Sequence, residues 1–400
     1  MDDYLNRSDL PLVGVTVVSV EQAVSAPYAT RQLADLGARV IKVERPGAGD
    51  FARGYDESVH GLASYFVWAN RSKESICLDL KQPEGLAILR RLVADVDVFV
   101  QNLAPNAAKR LELDADTLRR NDSRLIVCDV SGYGADGPWS GRKAYDLLVQ
   151  AEVGILSLTG TEEATARVGV SIADIAAGMY AFSGILSALF RRERTGEGST
   201  VEVSLFDSLS EWLGQPMYYA EYSGAQPART GTHHPTIAPY GEFRCRDGLS
   251  VMLAVQNERE WATFCTAFLD DPALATDERF AGNPARVRHR EALQDLLGRQ
   301  FERLDSGEVA KRLDEFGIAN ARQNDVSRLI DHPAQLGRER VRGFGSPVGD
   351  LYGPVSPISL SDTQPRMDAV PDVGEHTQAI LSDLGYSPVA VRELRSRNVI

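Results

Sequence analysis

Val15-Thr16-Val17-Val18-Ser19-Val20 is short, β-branched and bounded by Gly14, the pattern of a strand buried on both faces. From about Pro27 to Leu36 the chain predicts a helix, because proline suits a first turn and Gly37 suits a C-cap. Val40-Ile41-Lys42-Val43 predicts the next strand, closed by Glu44-Arg45-Pro46-Gly47. A strand, a crossover helix and a second strand make a β-α-β unit, so the chain falls in the α/β class with a parallel sheet. The first turn, Glu21 to Ala26, contains no glycine. The G-x-G-x-x-G loop that brings a pyrophosphate against a helix N-terminus is therefore missing. No phosphate-cradling G-x-x-x-x-G-K-[ST] loop occurs either.

The alternation continues downstream. Ser75–Asp79, Val98–Val100 and Arg124–Val130 read as strands, and Pro83–Ala94 and Asn106–Leu111 as helices, before the glycine-rich Ser131-Gly132-Tyr133-Gly134. Ligands of open α/β sheets sit beyond the carboxyl ends of the strands. Arg45, Asn102 and Tyr133 follow strand ends and are candidates for one crevice, although each taken singly also reads as solvated loop.

A long apolar helix runs from Ser171 to about Arg192, and residues 172–190 carry one charge, Asp174. A lone carboxylate among apolar residues has a structural partner or a chemical task. Two readings stay open. Ser171-x-x-Asp174 fits a capping box, and a carboxylate near a helix N-terminus, among the small residues Ala173, Ala176, Ala177 and Gly178, is also placed to act as a nucleophile. The run is long enough to span a membrane, but its small residues and terminal charge favour a core or subunit-interface helix.

The net charge of −13 argues against nucleic-acid binding, so an anionic substrate needs a locally basic pocket. The four cysteines (Cys77, Cys128, Cys245, Cys265) are far apart and lack metal-ligand spacing, which predicts reduced thiols in a cytoplasmic protein and no metal site. Met1-Asp2-Asp3-Tyr4 lacks the regions of a signal peptide. Beyond the long helix, Thr200–Leu205 predicts a strand and Ser208–Leu213 a helix. Residues 214–240 read as a connector or substrate-facing loop, and Phe243–Cys245 with Leu249–Ala254 as a hairpin. Helices are predicted at Glu258–Leu269, Arg290–Arg303 and Ser306–Phe316, and a closing helix at Gln378–Leu384. The expected layout is a large domain over 1–213, a linker over 214–224, a small α+β domain over 225–325, and a linker and return to the large domain over 326–400.

Several segments taken in order resemble the class III coenzyme A transferases, the group of formyl-CoA transferase and carnitine-type CoA transferases. They are Leu36 through Asp50, Asn70-Arg71-Ser72-Lys73 leading into Leu78-Asp79-Leu80-Lys81, Val100-Gln101-Asn102, Gly132-Tyr133-Gly134, Tyr145-Asp146, Arg194 through Gly198, and Gly374-Glu375-His376-Thr377. The resemblance implies a Rossmann-like large domain built from both chain ends, a small α+β domain, and an interlocked homodimer. It implies that Asp174 attacks an acyl-CoA thioester and passes through an aspartyl anhydride and an aspartyl-CoA thioester, with CoA as substrate and no permanently bound cofactor. It also assigns CoA contacts to Val24, Ser25, Arg45, Leu78, Lys81, Asn102, Leu103, Arg110, Lys143, Ala144, Tyr145 and Asp146.

Two departures argue against formyl or oxalate as the preferred group. Val24 stands where formyl-CoA transferase has glutamine, and Thr232 through Gly241 replaces its glycine-run loop. The related α-methylacyl-CoA racemases need a histidine and an aspartate about the α-carbon. The matching segment, Gly141 through Asp146, holds no histidine, which disfavours the racemase alternative. A non-catalytic acyl-CoA-binding protein is the third reading. The polar, basic loop with Arg229, His233 and His234 suggests a dicarboxylic acceptor such as mesaconate, itaconate or citramalate, with succinyl-CoA or a similar thioester as donor.

Overall fold

Six strands form one sheet: β1 (Thr16–Val20), β2 (Arg39–Glu44), β3 (Glu74–Cys77), β4 (Val98–Gln101), β5 (Ile126–Ser131) and β6 (Thr200–Ser204). Their spatial order is β3-β2-β1-β4-β5-β6, and every pairing is parallel. The computed structural model describes residues 9–400. The central strands are mostly apolar, as strands buried on both faces are: Val17, Val18, Phe99, Val100, Ile126 and Val127 are fully buried. The chain winds toward one edge after β1 and toward the other after β4. The β1/β4 boundary is therefore the switch point at which a crevice opens beyond the strand ends.

The helices of this half are α1 (Ser25–Asp35), α2 (Ser64–Asn70), α3 (Pro83–Val93), α4 (Ala107–Arg110), α5 (Ala115–Asn121), α6 (Asp146–Val153), α7 (Ile172–Thr195) and α8 (Leu205–Trp212); α9 (Gly214–Ser223) follows and, from Gln215 on, belongs to the other part of the chain. α1 starts ahead of its proline, with Val24 as N-cap. Its end falls at Asp35, and Gly37 follows in the left-handed region at φ +106°. α9 corrects the connector reading of its stretch. Gly214 and Pro216 both fall in its first turn, where a missing N–H leaves no intrahelical bond unmade. α7 is, among the described residues, the one helix long and apolar enough to cross a membrane, and half of that window is buried inside the protein.

The chain forms two compact units. One comprises residues up to Val153, Val168–Gly214 and Pro333–Ile400; the other comprises Gly154–Arg167 and Gln215–His332. In the second unit β7 (Tyr240–Arg244), β8 (Ser250–Ala254) and β9 (Ala319–Arg322) pair antiparallel and cover a core of Phe243, Trp261, Phe264, Phe268 and Phe301. Gly154–Arg167 joins this unit through hydrogen bonds to its carbonyls that no sequence pattern displays, with Arg229 Nε donating to Thr161 O at 2.7 Å and Gly231 N to Gly160 O at 2.9 Å. In the first unit β10 (Val341–Phe344) and β11 (Leu351–Pro354) make an antiparallel pair. The chain ends in two helices, Thr377–Asp383 and Pro388–Ser396, where one was predicted. Ile380, Leu381, Val391 and Leu394 from these helices pack with Ile41, Ile76 and Ile88.

Candidate active site

The site begins at the turn that follows β1. Asn102, just after β4, clamps the Gln22 peptide from both sides: its Oδ1 accepts from Gln22 N at 2.9 Å and its Nδ2 donates to Gln22 O at 2.8 Å. Ala23 then lies in the left-handed region at φ +63°, which costs an alanine about 1–2 kcal/mol. Its N–H donates to Asp50 Oδ1 at 3.1 Å. Beneath the turn lie two lysines whose side chains are fully buried. Lys42, on β2, donates to Asp50 Oδ2 at 2.8 Å. Lys73 donates to Glu21 Oε1 at 2.7 Å, to Pro27 O at 2.9 Å and to Asn70 Oδ1 at 3.0 Å. Buried ammonium groups persist only where paired and fully hydrogen-bonded. Burial brings Lys73 down to about 7, aided by the neighbouring Lys42 and opposed by Glu21.

Asp174 lies in the first turn of α7. Ser171 occupies the N-cap position, but its side chain makes no cap bond and its Oγ lies 3.3 Å from Tyr65 Oη. The cap comes instead from Asp146 at the start of α6, whose Oδ1 accepts from Ala173 N at 2.8 Å while its Oδ2 accepts from Gln150 Nε2 at 2.7 Å. This corrects the capping-box reading: Asp146 caps the helix, and Asp174 is left to other work. Asp174 is half-buried. Burial, and then the nearby Asp146 carboxylate, raise it to about 7 against a hydrogen bond from the Ser25 hydroxyl.

Ser25 reaches Asp174 because α1 and α7 approach closely. A Cβ on Gly178 would stand 2.7 Å from Ser25 O and 2.9 Å from Tyr28 Cδ1. Beyond it, Gln32 Nε2 lies 2.9 Å from Met179 Sδ. Tyr55 also lies within electrostatic reach of Asp174, and its phenol is pushed up to about 12 by burial and by the Asp50 and Asp174 charges. A half-buried carboxyl that titrates near neutrality suits covalent or proton-transfer chemistry.

The remaining expected residues fall into three groups. Arg45 after β2, Lys81 after β3, Arg110 closing α4, and Lys143 and Tyr145 ahead of α6 are exposed. The cations among them are open to anionic groups, which guanidinium pairs in a forked geometry. Val24 and Ser25 are buried at the head of α1. Ala144 packs against Gly132, where any Cβ would lie 2.3 Å from that of Ala144.

In the second group the contacts are structural. Leu78 is 1% exposed in the core, and Leu103 packs against the same core. The Asn102 amide is committed to Gln22.

The third group lies in the second unit. Arg229 donates to the Thr161 and Glu162 carbonyls. His234 stacks on Tyr240 at 5.2 Å and accepts from Thr236 N, and His233 meets the Phe243 edge. Burial and Arg290 hold both imidazoles below their usual range. These contacts lend no support to reading the three side chains as acceptor ligands. The sequence reading passed over Asp50, Lys42 and Lys73; the signal was a lysine inside an otherwise apolar buried strand.

The parallel sheet, the glycine-free turn at its switch point and the shielded carboxyl on α7 define an α/β protein equipped for carboxylate chemistry. The pattern of CoA-transferase family III matches residues 12–377, and the chain belongs to that family as an enzyme of CoA transfer. It is 33% identical over 394 residues to a succinate–glutarate CoA-transferase of Agrobacterium fabrum, covering 96% of this chain and 98% of that protein. It is 32% identical over 384 residues to a succinyl-CoA:mesaconate CoA-transferase of Haloarcula hispanica, covering 92% and 95%. The crystal structure of a CaiB/BaiF family protein from Brucella suis superposes with a TM-score of 0.83 at 35% identity, over 94% of this chain and 99% of that one.

Proposed function

We propose that the enzyme moves CoA from succinyl-CoA, or a similar thioester, to a dicarboxylic acid, with Asp174 as the covalent relay. The observation that carries this reading is the half-buried Asp174 carboxyl, raised to about 7 and relieved of capping by Asp146. The ionised carboxylate attacks the thioester carbonyl, giving a mixed anhydride and CoA thiolate. The thiolate attacks the aspartyl carbonyl and releases the donor acid, leaving an aspartyl-CoA thioester. The acceptor carboxylate attacks that thioester, releasing thiolate and forming a second anhydride. The thiolate then takes the acceptor acyl group and frees Asp174. Each step exchanges one acyl bond for another, so thioester energy is retained throughout.

Arg45, Lys81, Arg110 and Lys143 are assigned to the nucleotide and phosphate end of CoA, and Ala144 and Tyr145 to the pantetheine end. Burial and the Asp146 charge favour the neutral form of Asp174, and the Ser25 hydroxyl favours the carboxylate. The dicarboxylate class rests on the relatives named for glutarate and mesaconate, not on the loop histidines. Initial rates with succinyl-CoA and a panel of acids test it: glutarate, mesaconate or another C4–C6 dicarboxylate is expected to give the highest kcat/KM. A monocarboxylate that exceeds every dicarboxylate contradicts the assignment.

A further inference from the structure

The buried charges under the β1–α1 turn have no place in the relay itself, yet they converge on one backbone amide. Asp50 is 2% exposed. Its Oδ2 accepts from Lys42, while its Oδ1 accepts from both Ala52 N at 2.9 Å and Ala23 N at 3.1 Å. Its own N–H donates to Glu44 Oε2 at 2.9 Å. Ala23 is a left-handed alanine, a conformation that persists only where its surroundings impose it. On the other side of the turn Asn102 holds Gln22, and Lys73 holds Pro27 O in the first turn of α1. Between those anchors the chain supplies Ser25, whose carbonyl lies against Gly178, one helical turn beyond Asp174 on α7, so that its hydroxyl comes alongside that carboxyl.

We propose that Asp50 is a positioning residue: seated on Lys42, it bonds the Ala23 N–H and fixes the left-handed turn that aims the Ser25 hydroxyl at Asp174. The inference rests on the reading of Asp174 as the working carboxylate. The groups within reach of Asp174 are Ser25 on α1, Asp146 on α6 and Tyr55 after the short helix Phe51–Gly54; Tyr145 and Tyr65 lie about Tyr55, with the Tyr65 hydroxyl at Ser171. Asp146 stands outside the Asp50 linkage, whereas Tyr55 shares it, because Asp50 caps the short helix that ends at Tyr55; an Asp50 effect carried through Tyr55 instead of Ser25 registers as additivity in the double variant.

The test is a carboxyl-carbon NMR titration of the full-length enzyme labelled at aspartate, with the Asp174 signal assigned by its absence in Asp174→Asn. Ser25→Ala removes a hydrogen bond to the charged form, so the Asp174 midpoint rises by roughly one pH unit. Asp50→Ala is expected to raise it equally, and the Ser25→Ala/Asp50→Ala double variant no further. Asp50→Asn, which keeps an oxygen for the Ala23 N–H, leaves the midpoint near that of the parent. The direction is diagnostic, because simple removal of a negative charge lowers a neighbouring carboxyl. A midpoint in Asp50→Ala that is unchanged or lower overturns the proposal, as does an additive double variant. Should Asp50→Ala fail to fold, Asn102→Ala loosens the same turn from β4 and is held to the same two outcomes. The titration needs no turnover, so a failed covalent relay and a failed positioning linkage register separately.

Discussion

Asp174 ordinarily titrates at 3.8 and here does so at about 7. An unfolded chain therefore loses this proton near pH 4, whereas the folded chain keeps it until neutrality. Folding takes up a proton between those values, so the stability contributed at acid pH drains away as pH rises from about 4 to 7 and then levels. Asp174→Asn removes that loss. Urea unfolding is expected to find the variant more stable than the parent at pH 8, by at most about 4 kcal/mol and less to the extent that water reaches the carboxyl. The difference is expected to vanish toward pH 4; an equal gap at pH 5 and pH 8 contradicts the linkage. A carboxyl held at this cost is the pattern of a site that trades stability for reactivity. The residue itself was legible in the sequence as one charge in an apolar helix. Its release from capping was not, because the cap comes from Asp146, distant along the chain and brought in by the fold of α6.

At the level of elements, the pairing of α1 with α7 sets how closely Ser25 and Asp174 meet. Gly178 is the point of contact. Gly178→Ala gains helix propensity of about 1 kcal/mol, but places a methyl 2.7 Å from the Ser25 carbonyl, a backbone atom that cannot step aside cheaply. The net expectation is a loss of about 1–3 kcal/mol. Gly298→Ala, in the helix Arg290–Phe301 with nothing within 4 Å of the added Cβ, is expected to raise Tm. Thermal unfolding checks both; a Gly178→Ala enzyme as stable as Gly298→Ala removes the close approach from the account.

The strands of the parallel sheet were legible because β-branched runs such as Val15–Val20 leave few alternatives, whereas β9, β10 and β11, four residues each and without such runs, were not. α2, α5, α6 and α9 were not, being short or marked by Gly, Pro and Tyr rather than by a clear apolar stripe. The split of π-helical Phe264–Phe268 from the helix Glu258–Thr263 is likewise a matter of hydrogen-bond register, invisible to periodicity.

At the scale of the whole molecule, the sheet order β3-β2-β1-β4-β5-β6 explains why residues far apart in sequence share one site. Gln22 and Asn102 meet only because β1 and β4 are neighbours at the switch point. The rule that ligands gather beyond the strand ends drew attention to Asn102 at this adjacency. What the rule does not give is the role, since both ends of the Asn102 amide hold backbone. In the second unit His233, His234 and Arg229 contact Phe243, Tyr240 and two carbonyls, partners that no sequence pattern displays.

The central claim is that Asp174 becomes covalently acylated. Incubation with succinyl-CoA, trapping with hydroxylamine, and intact and peptide mass spectrometry test it most directly, beside Asp174→Ala. The account predicts a hydroxamate, or a CoA adduct before trapping, on the peptide bearing Asp174 and none in the variant, with the yield at short times rising through about pH 7. CoA transfer that proceeds with no modification of that peptide, or that survives in Asp174→Ala, contradicts it.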